Sequence, residues 1–173
     1  REGIAYQIAR GVEFYNRKEI KDVLAYLRVL VNPSDEVALV RIINTPPRGI
    51  GATTVERLKE RAGASGCRLY DLLADDAALA ASGRSGQKVR EFGQLLRQLA
   101  PALELPPAKA LETVISHSGL RALYHENREA DDAPSANLDE LISAASEFQS
   151  DQPEATVVDW LEHAALISDV DAV

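Results

Sequence analysis

The sequence contains no methionine and a single cysteine among its 173 residues. One cysteine cannot build an internal disulfide framework or a cysteine-based zinc site, so Cys67 reads as a small packing residue suited to a reducing cytoplasm. The missing initiator methionine, with no signal-peptide pattern after Arg1, points to an excised piece of a longer protein. Apolar runs fall far short of the length that crosses a bilayer, and no membrane partner is expected. There is no GxxxxGK[ST] phosphate loop, the usual means of binding and splitting ATP. His117, His125 and His163 lie far apart without metal-ligand spacing. This piece alone is therefore expected to be no enzyme, with no catalytic residue, metal or cofactor assigned to it.

Apolar residues make up 46% of the chain, enough for one globular domain, or one with a small appendage. The net charge of −8 would argue against a nucleic-acid partner if it were evenly spread. It is not. Residues 1–100 hold 16 Lys+Arg against 12 Asp+Glu, whereas residues 101–173 hold 3 against 15. Local footprint, not the total, decides affinity for a polyanion. Solvated helix faces would account for the same charges more plainly.

Helical periodicity runs through nearly the whole chain and predicts an all-α, compact multi-helix fold. The exception is "IAYQI" at 4–8, whose alternation suits one short strand. From Arg17 to Val31, residues Ile20, Val23, Leu24, Leu27, Leu30 and Val31 share one face, behind an Asn16/Glu19 capping box. "NPSD" (Asn32–Asp35) stops that helix and caps the next, to about Asn44. Thr53 with Glu56 predicts a second capping box, opening a helix to about Ala64 that "ASG" ends. A short turn at Leu69–Leu73 follows, then "DDAALAASGRSG", read as a mobile surface connection. A helix over 85–100 carries Val89, Phe92, Leu95, Leu96 and Leu99, and Pro107 opens another through His117. "HENREADDAPS" (His125–Ser135) reads as a flexible loop. Asn137 with Glu140, and Thr156 with Asp159, would cap the last two helices.

Between the second and third predicted helices lies "TPPRGIGATT", Thr45–Thr54, a helix-hairpin-helix-like turn around Gly49–Ile50–Gly51. Two glycines without Cβ atoms allow a ligand close to the backbone. The turn leads into a helix N-terminus, where unpaired amides and the dipole favour an anion. Arg48 could grip a phosphate oxygen bidentately, and Thr53 and Thr54 offer hydroxyls. Ile50 would anchor the hairpin to the core. Such a device reads no base and gives affinity without sequence preference. An ordinary tight turn between helices uses the same residue types, and the residues alone leave both readings standing. A second basic stretch, Arg10–Asp22, places Phe14 and Tyr15 beside Arg17 and Lys18. Arg17 and Lys18 are further candidate DNA contacts, while the aromatics read better as a hydrophobic staple than as a single-strand stacking platform.

The blocks "FYNRKEIKDVLAYLRVLVNPSD" and "RIINTPPRGIG", followed by "VVDWLEHAALISD", resemble the UvrD/PcrA/Rep family of superfamily-1 DNA helicases. The likeness spans nearly the whole chain and is strongest over residues 3–58. It implies the helical 2B subdomain over 14–168, with the end of the first 2A segment at 1–13 and a connector back to 2A at 169–173. Family members are ATP-dependent 3′→5′ DNA helicases. The resemblance therefore implies that ATP and magnesium serve the parent protein and not this piece. It implies that the GIG hairpin meets duplex DNA at a single-strand/double-strand junction through Arg48, Gly49, Ile50, Gly51, Thr53 and Thr54. The other implied partners are the motor domains of the same chain and repair proteins. Where the family commonly has Gly-Gly and then Leu-Arg, this chain has Arg10, Gly11, Val12 and Glu13, and an acid replaces a base. A protein-interaction or autoinhibitory module, or the equivalent insertion of a recombination helicase–nuclease, are the alternatives.

Overall fold

A computed structural model describes residues 11–125 and 133–169, and every regular element among them is helical. The predicted strand at 4–8 lies outside the described residues, as do 126–132 of the predicted acidic loop. The chain forms two compact units: one from residues 1–24 and 102–173, the other from residues 25–101.

After a helical turn at 11–15, α1 spans Lys18–Val31, its first residues belonging to one unit and its last to the other. Ile20, Val23, Leu24 and Leu27 are fully buried, as the 3.6-residue period requires. The expected Asn16/Glu19 box does not form. The Asn16 amide donates back to the Val12 carbonyl at 2.9 Å, and the Glu19 carboxylate instead accepts from the Asn137 amide at 3.0 Å. A bond to the preceding turn takes Asn16 and a tertiary partner takes Glu19, the groups that the local pattern reserved for capping.

In the unit of residues 25–101, α2 (Glu36–Ile42) starts on Asp35, whose carboxylate accepts from the Ala38 amide at 3.1 Å. α3 (Ala52–Ser65) ends on left-handed Gly66. α4 (Leu69–Leu72) and α5 (Asp76–Ala80) are short, and α6 (Gly83–Leu99) is long, with Val89, Phe92, Leu96 and Leu99 buried. The stretch read as a mobile connection is thus folded. Asp75 caps α5 through the Ala78 amide, Ala78 and Leu79 are buried, and Asp76 meets Arg90 of α6 at 3.1 Å. Glycine makes the packing possible. A Cβ on Gly86 would sit 1.9 Å from the Leu79 carbonyl oxygen, and one on Gly93, two turns along the same face, 2.8 Å from that of Leu73.

The other unit packs α7 (Pro107–His117), α8 (Leu120–His125), α9 (Pro134–Asp151) and α10 (Val157–Asp169). Pro107 opens α7 as predicted, and Thr156 and Asp159 form the predicted box at 2.9 and 3.2 Å. α9 starts earlier than expected, at Pro134, because a first-turn proline lacks the amide that would need a cap. Asn137, freed from that duty, bonds Glu19. Beside them the buried Tyr124 hydroxyl donates to the buried Asp22 carboxylate. Trp160 is fully buried in this core. No helix among the described residues is long and apolar enough to cross a membrane.

Candidate nucleic-acid interface

The turn that joins α2 to α3 belongs wholly to the unit of residues 25–101. Its shape is set by one side chain. The Asn44 carbonyl oxygen accepts from the amides of Arg48, at 2.6 Å, and Ile50, at 3.2 Å, folding the segment back on itself. An asparagine just past a helix end favours such backbone pairing, a signal the sequence carries. Ile50 is 2% exposed and pins the hairpin to the core, as expected. The Thr45–Pro46 peptide is cis.

Arg48 does something other than the sequence suggested. Its guanidinium turns inward and donates to the carbonyls of Ile42 (2.8 Å), Ile43 (3.3 Å) and Thr45 (3.1 Å), and to the Tyr26 hydroxyl (2.5 Å). The carbon of that group lies 4.7 Å from the centre of the Phe92 ring. A cation at a helix C-terminus satisfies carbonyls that have no partner along the helix, and here it closes α2. Tyr26 completes the clasp by donating to Thr45 at 2.6 Å. Arg48 therefore ties the turn to α1, α2 and α6 and is not poised to grip an external phosphate. Tyr26 does not stand out in the sequence, because its partners, the Thr45 carbonyl and the Arg48 guanidinium, are brought close only by the fold.

The rim of the hairpin faces outward. Gly49 and Gly51 are both exposed, and no hydrogen-bond acceptor among the described residues meets their amides. Gly49 has φ +78°, a conformation that L side chains rarely adopt. Gly51 is the N-cap of α3 and has no side chain to cap its first turn. The predicted Thr53/Glu56 box is absent, since helical geometry begins at Ala52 and places Thr53 inside the helix. Glu56 instead lies 3.5 Å from Lys59. Thr53 is exposed and Thr54 half-buried. The result is an open run of glycine amides leading into an uncapped helix start, at the positive end of its dipole.

Arg17 and Lys18 belong to the other unit. Tyr15 there is buried, packs edge-on to Phe14 at 5.4 Å, and its hydroxyl is pushed up to about 12 by burial. That favours the staple reading over base stacking. Among the described residues, no group of three His, Cys, Asp or Glu side chains could hold a metal ion.

Among the described residues, the turn thus presents an exposed glycine hairpin that leads into an open helix N-terminus. Residues 1–172 match the UvrD-like helicase C-terminal domain, and the chain belongs to that family. It is similar to the ATP-dependent DNA helicase PcrA of Bacillus subtilis, 30% identical over 171 residues, which cover 98% of this chain and 23% of that protein. The PcrA helicases of Staphylococcus epidermidis and Staphylococcus aureus are each 31% identical over 175 residues, covering 99% of this chain and 24% of theirs. The chain thus spans about a quarter of the length of the curated relatives it matches.

Proposed function

We propose that this chain acts as the 2B accessory subdomain of an ATP-dependent 3′→5′ DNA helicase and contacts duplex phosphates through the Gly49–Ile50–Gly51 hairpin. The observation that carries this reading is the outward-facing, unpaired glycine amides beside an uncapped helix start. Gly49, Gly51 and the first turn of α3, with Thr53 and Thr54, make the contact. Ile50 and Arg48 hold the hairpin in shape. Backbone amides do not distinguish bases, so binding is independent of sequence and falls steeply with salt. ATP and magnesium act elsewhere in the parent protein, whose motor domains and the single-strand/double-strand junction are this subdomain's partners.

Gly51→Asp tests the assignment. Gly51 has φ −79°, and a Cβ there meets nothing within 4 Å, so the side chain fits. An aspartate N-cap should stabilise α3 by about 0.5 kcal/mol, since it accepts first-turn amides. It should also place a carboxylate where the phosphate belongs. Thermal stability is expected to rise slightly while duplex affinity, read by fluorescence anisotropy at low salt, falls. Unchanged affinity in the stabilised variant would remove the hairpin from the interface.

A second reading rests on charge. The unit of residues 1–24 and 102–173 holds 8 Lys+Arg against 19 Asp+Glu, a composition suited to docking a basic protein surface, whether a repair partner or the chain's own motor domains.

A further inference from the structure

A groove of about 440 Å³ in the unit of residues 25–101 is lined by α3 and the end of α5. Two cations edge it. Arg57 and Arg61 are both exposed and sit in the second and third turns of α3, beyond the helix start that the hairpin feeds. Residues four apart share one helix face about 6 Å from each other, and like charges at that spacing repel. No fixed partner answers that repulsion: neither guanidinium has an ion pair or hydrogen bond among the described residues. Arg68 and Arg90 of the same unit, by contrast, each hold an aspartate, at 2.9 and 3.1 Å. Glu60 lines the groove too, yet pairs with neither arginine. The floor is apolar. Leu58 and Ala78 are each 2% exposed, and exposed Ala81 has nothing beyond its Cβ to obstruct an approaching chain. The Ser82 hydroxyl, which caps no amide of α6, adds a donor.

We infer that this groove docks an acidic helical segment of another protein, one with two carboxylates four residues apart and a leucine-sized side chain between them. Arg57 and Arg61 each take one carboxylate through the planar guanidinium fork, and the apolar side chain covers Leu58, Ala78 and Ala81. Arginine beside a buried apolar floor is the composition of a protein interface centre. A phosphate strand suits the groove less. Sugar and phosphate gain little from an apolar floor, and Glu60 would face a negative charge at every nucleotide, whereas a peptide can meet it with an uncharged residue. The surface is separate from the hairpin and does not depend on the proposed duplex contact.

The test titrates the 173-residue chain into a fluorescein-labelled helical peptide of glutamate, leucine and alanine, its glutamates four residues apart with leucine between them. Anisotropy at low salt should show saturable binding. Arg57→Ala and Arg61→Ala should each weaken it several-fold, and the double variant on the order of tenfold, as two exposed ion pairs allow. Glu60→Gln should tighten it. Ala81→Leu fills the floor without changing charge, so its expected loss of affinity separates a seated side chain from loose ionic attraction. All four positions are exposed, and unchanged circular dichroism would confirm that the fold persists. The inference is overturned if the unaltered chain does not bind the peptide, if the double arginine variant binds it as well, or if Ala81→Leu changes nothing. Should the double variant keep the peptide and lose affinity for a DNA duplex, the arginines serve a phosphate backbone and the acidic segment is the wrong occupant.

Discussion

The two compact units solve the same problem, satisfying a charged group at a joint between helices, in opposite ways. In the unit of residues 1–24 and 102–173, the buried charged groups are acids: Asp22 accepts from Tyr124, and Glu19 accepts from Asn137. In the unit of residues 25–101 the group at the joint is a cation, Arg48, clasped by three carbonyls and the Tyr26 hydroxyl. Formal charge follows the same division, with 19 acidic against 8 basic residues in the first unit and 8 against 11 in the second. The difference teaches where each unit's polar groups are put to use. The acidic unit uses its buried carboxylates to join helices distant in sequence. The basic unit closes one helix end with an arginine and leaves the next helix start open, which frees backbone amides at its surface.

The largest expected effect comes from breaking the basic unit where its backbones touch. Gly86→Val would put side-chain atoms into the Leu79 carbonyl, already 1.9 Å from an ideal Cβ. Backbone cannot rotate away as a flexible side chain can, so α5 and α6 must separate. A loss of roughly 3 kcal/mol or more is expected. Chemical denaturation would measure it, and hydrogen exchange should locate lost protection at residues 76–99. Uniform loss across both units would instead mean that they unfold as one.

Arg48→Ala probes the clasp. It strips donors from the carbonyls at the end of α2 and from Tyr26, and removes the contact with Phe92. Charged hydrogen bonds are worth about 1.5–3 kcal/mol each and do not add, so a net loss of about 3 kcal/mol is reasonable. Arg48→Lys should recover only part, because an ammonium lacks the planar fork that reaches several acceptors together. The discriminating measurement is duplex affinity extrapolated to the folded fraction. If Arg48 only positions the turn, the salt slope should remain near that of the unaltered chain, whereas a direct phosphate contact would lower its magnitude by about 0.9.

Helix faces were legible because burial repeats every 3.6 residues: Ile20, Val23, Leu24 and Leu27 could be assigned from spacing alone. The exposure of the glycine hairpin and the anchoring of Ile50 were legible too, from residue type in a turn. Three of the four predicted capping boxes were not. Asn16, Thr53 and Asn137 each have an acid three residues on, but that spacing only permits a box, and tertiary partners or an earlier helix start decided otherwise. The direction of Arg48 was hidden for a related reason: a sequence displays donors without showing which carbonyls will be left unpaired nearby. The packing of α5 against α6 was misread as a loop because its small residues, Ala and Gly, resemble linker composition while here they permit close approach.

The smallest effect belongs to the acidic unit and is invisible at neutral pH. Tyr15 is 5% exposed, and burial raises its hydroxyl from 10.0 to about 12. The neutral phenol is the form that the folded state favours. Its contribution is therefore fully present below pH 10 and is lost as pH rises through the folded-state value near 12. At pH 11 the loss amounts to about 1.4 kcal/mol, since one pKa unit corresponds to about 1.36 kcal/mol. Denaturation curves of the unaltered chain and Tyr15→Phe, compared from pH 7 to 11, should show a parallel offset up to about pH 9.5. Above that, the difference should shift in favour of the phenylalanine variant, which has no proton to lose at this position. Other tyrosines titrate in both proteins and cancel in the comparison. A constant offset across the range would mean that the Tyr15 hydroxyl reaches water in the folded state, and that the acidic unit is looser around α1 than its burial indicates.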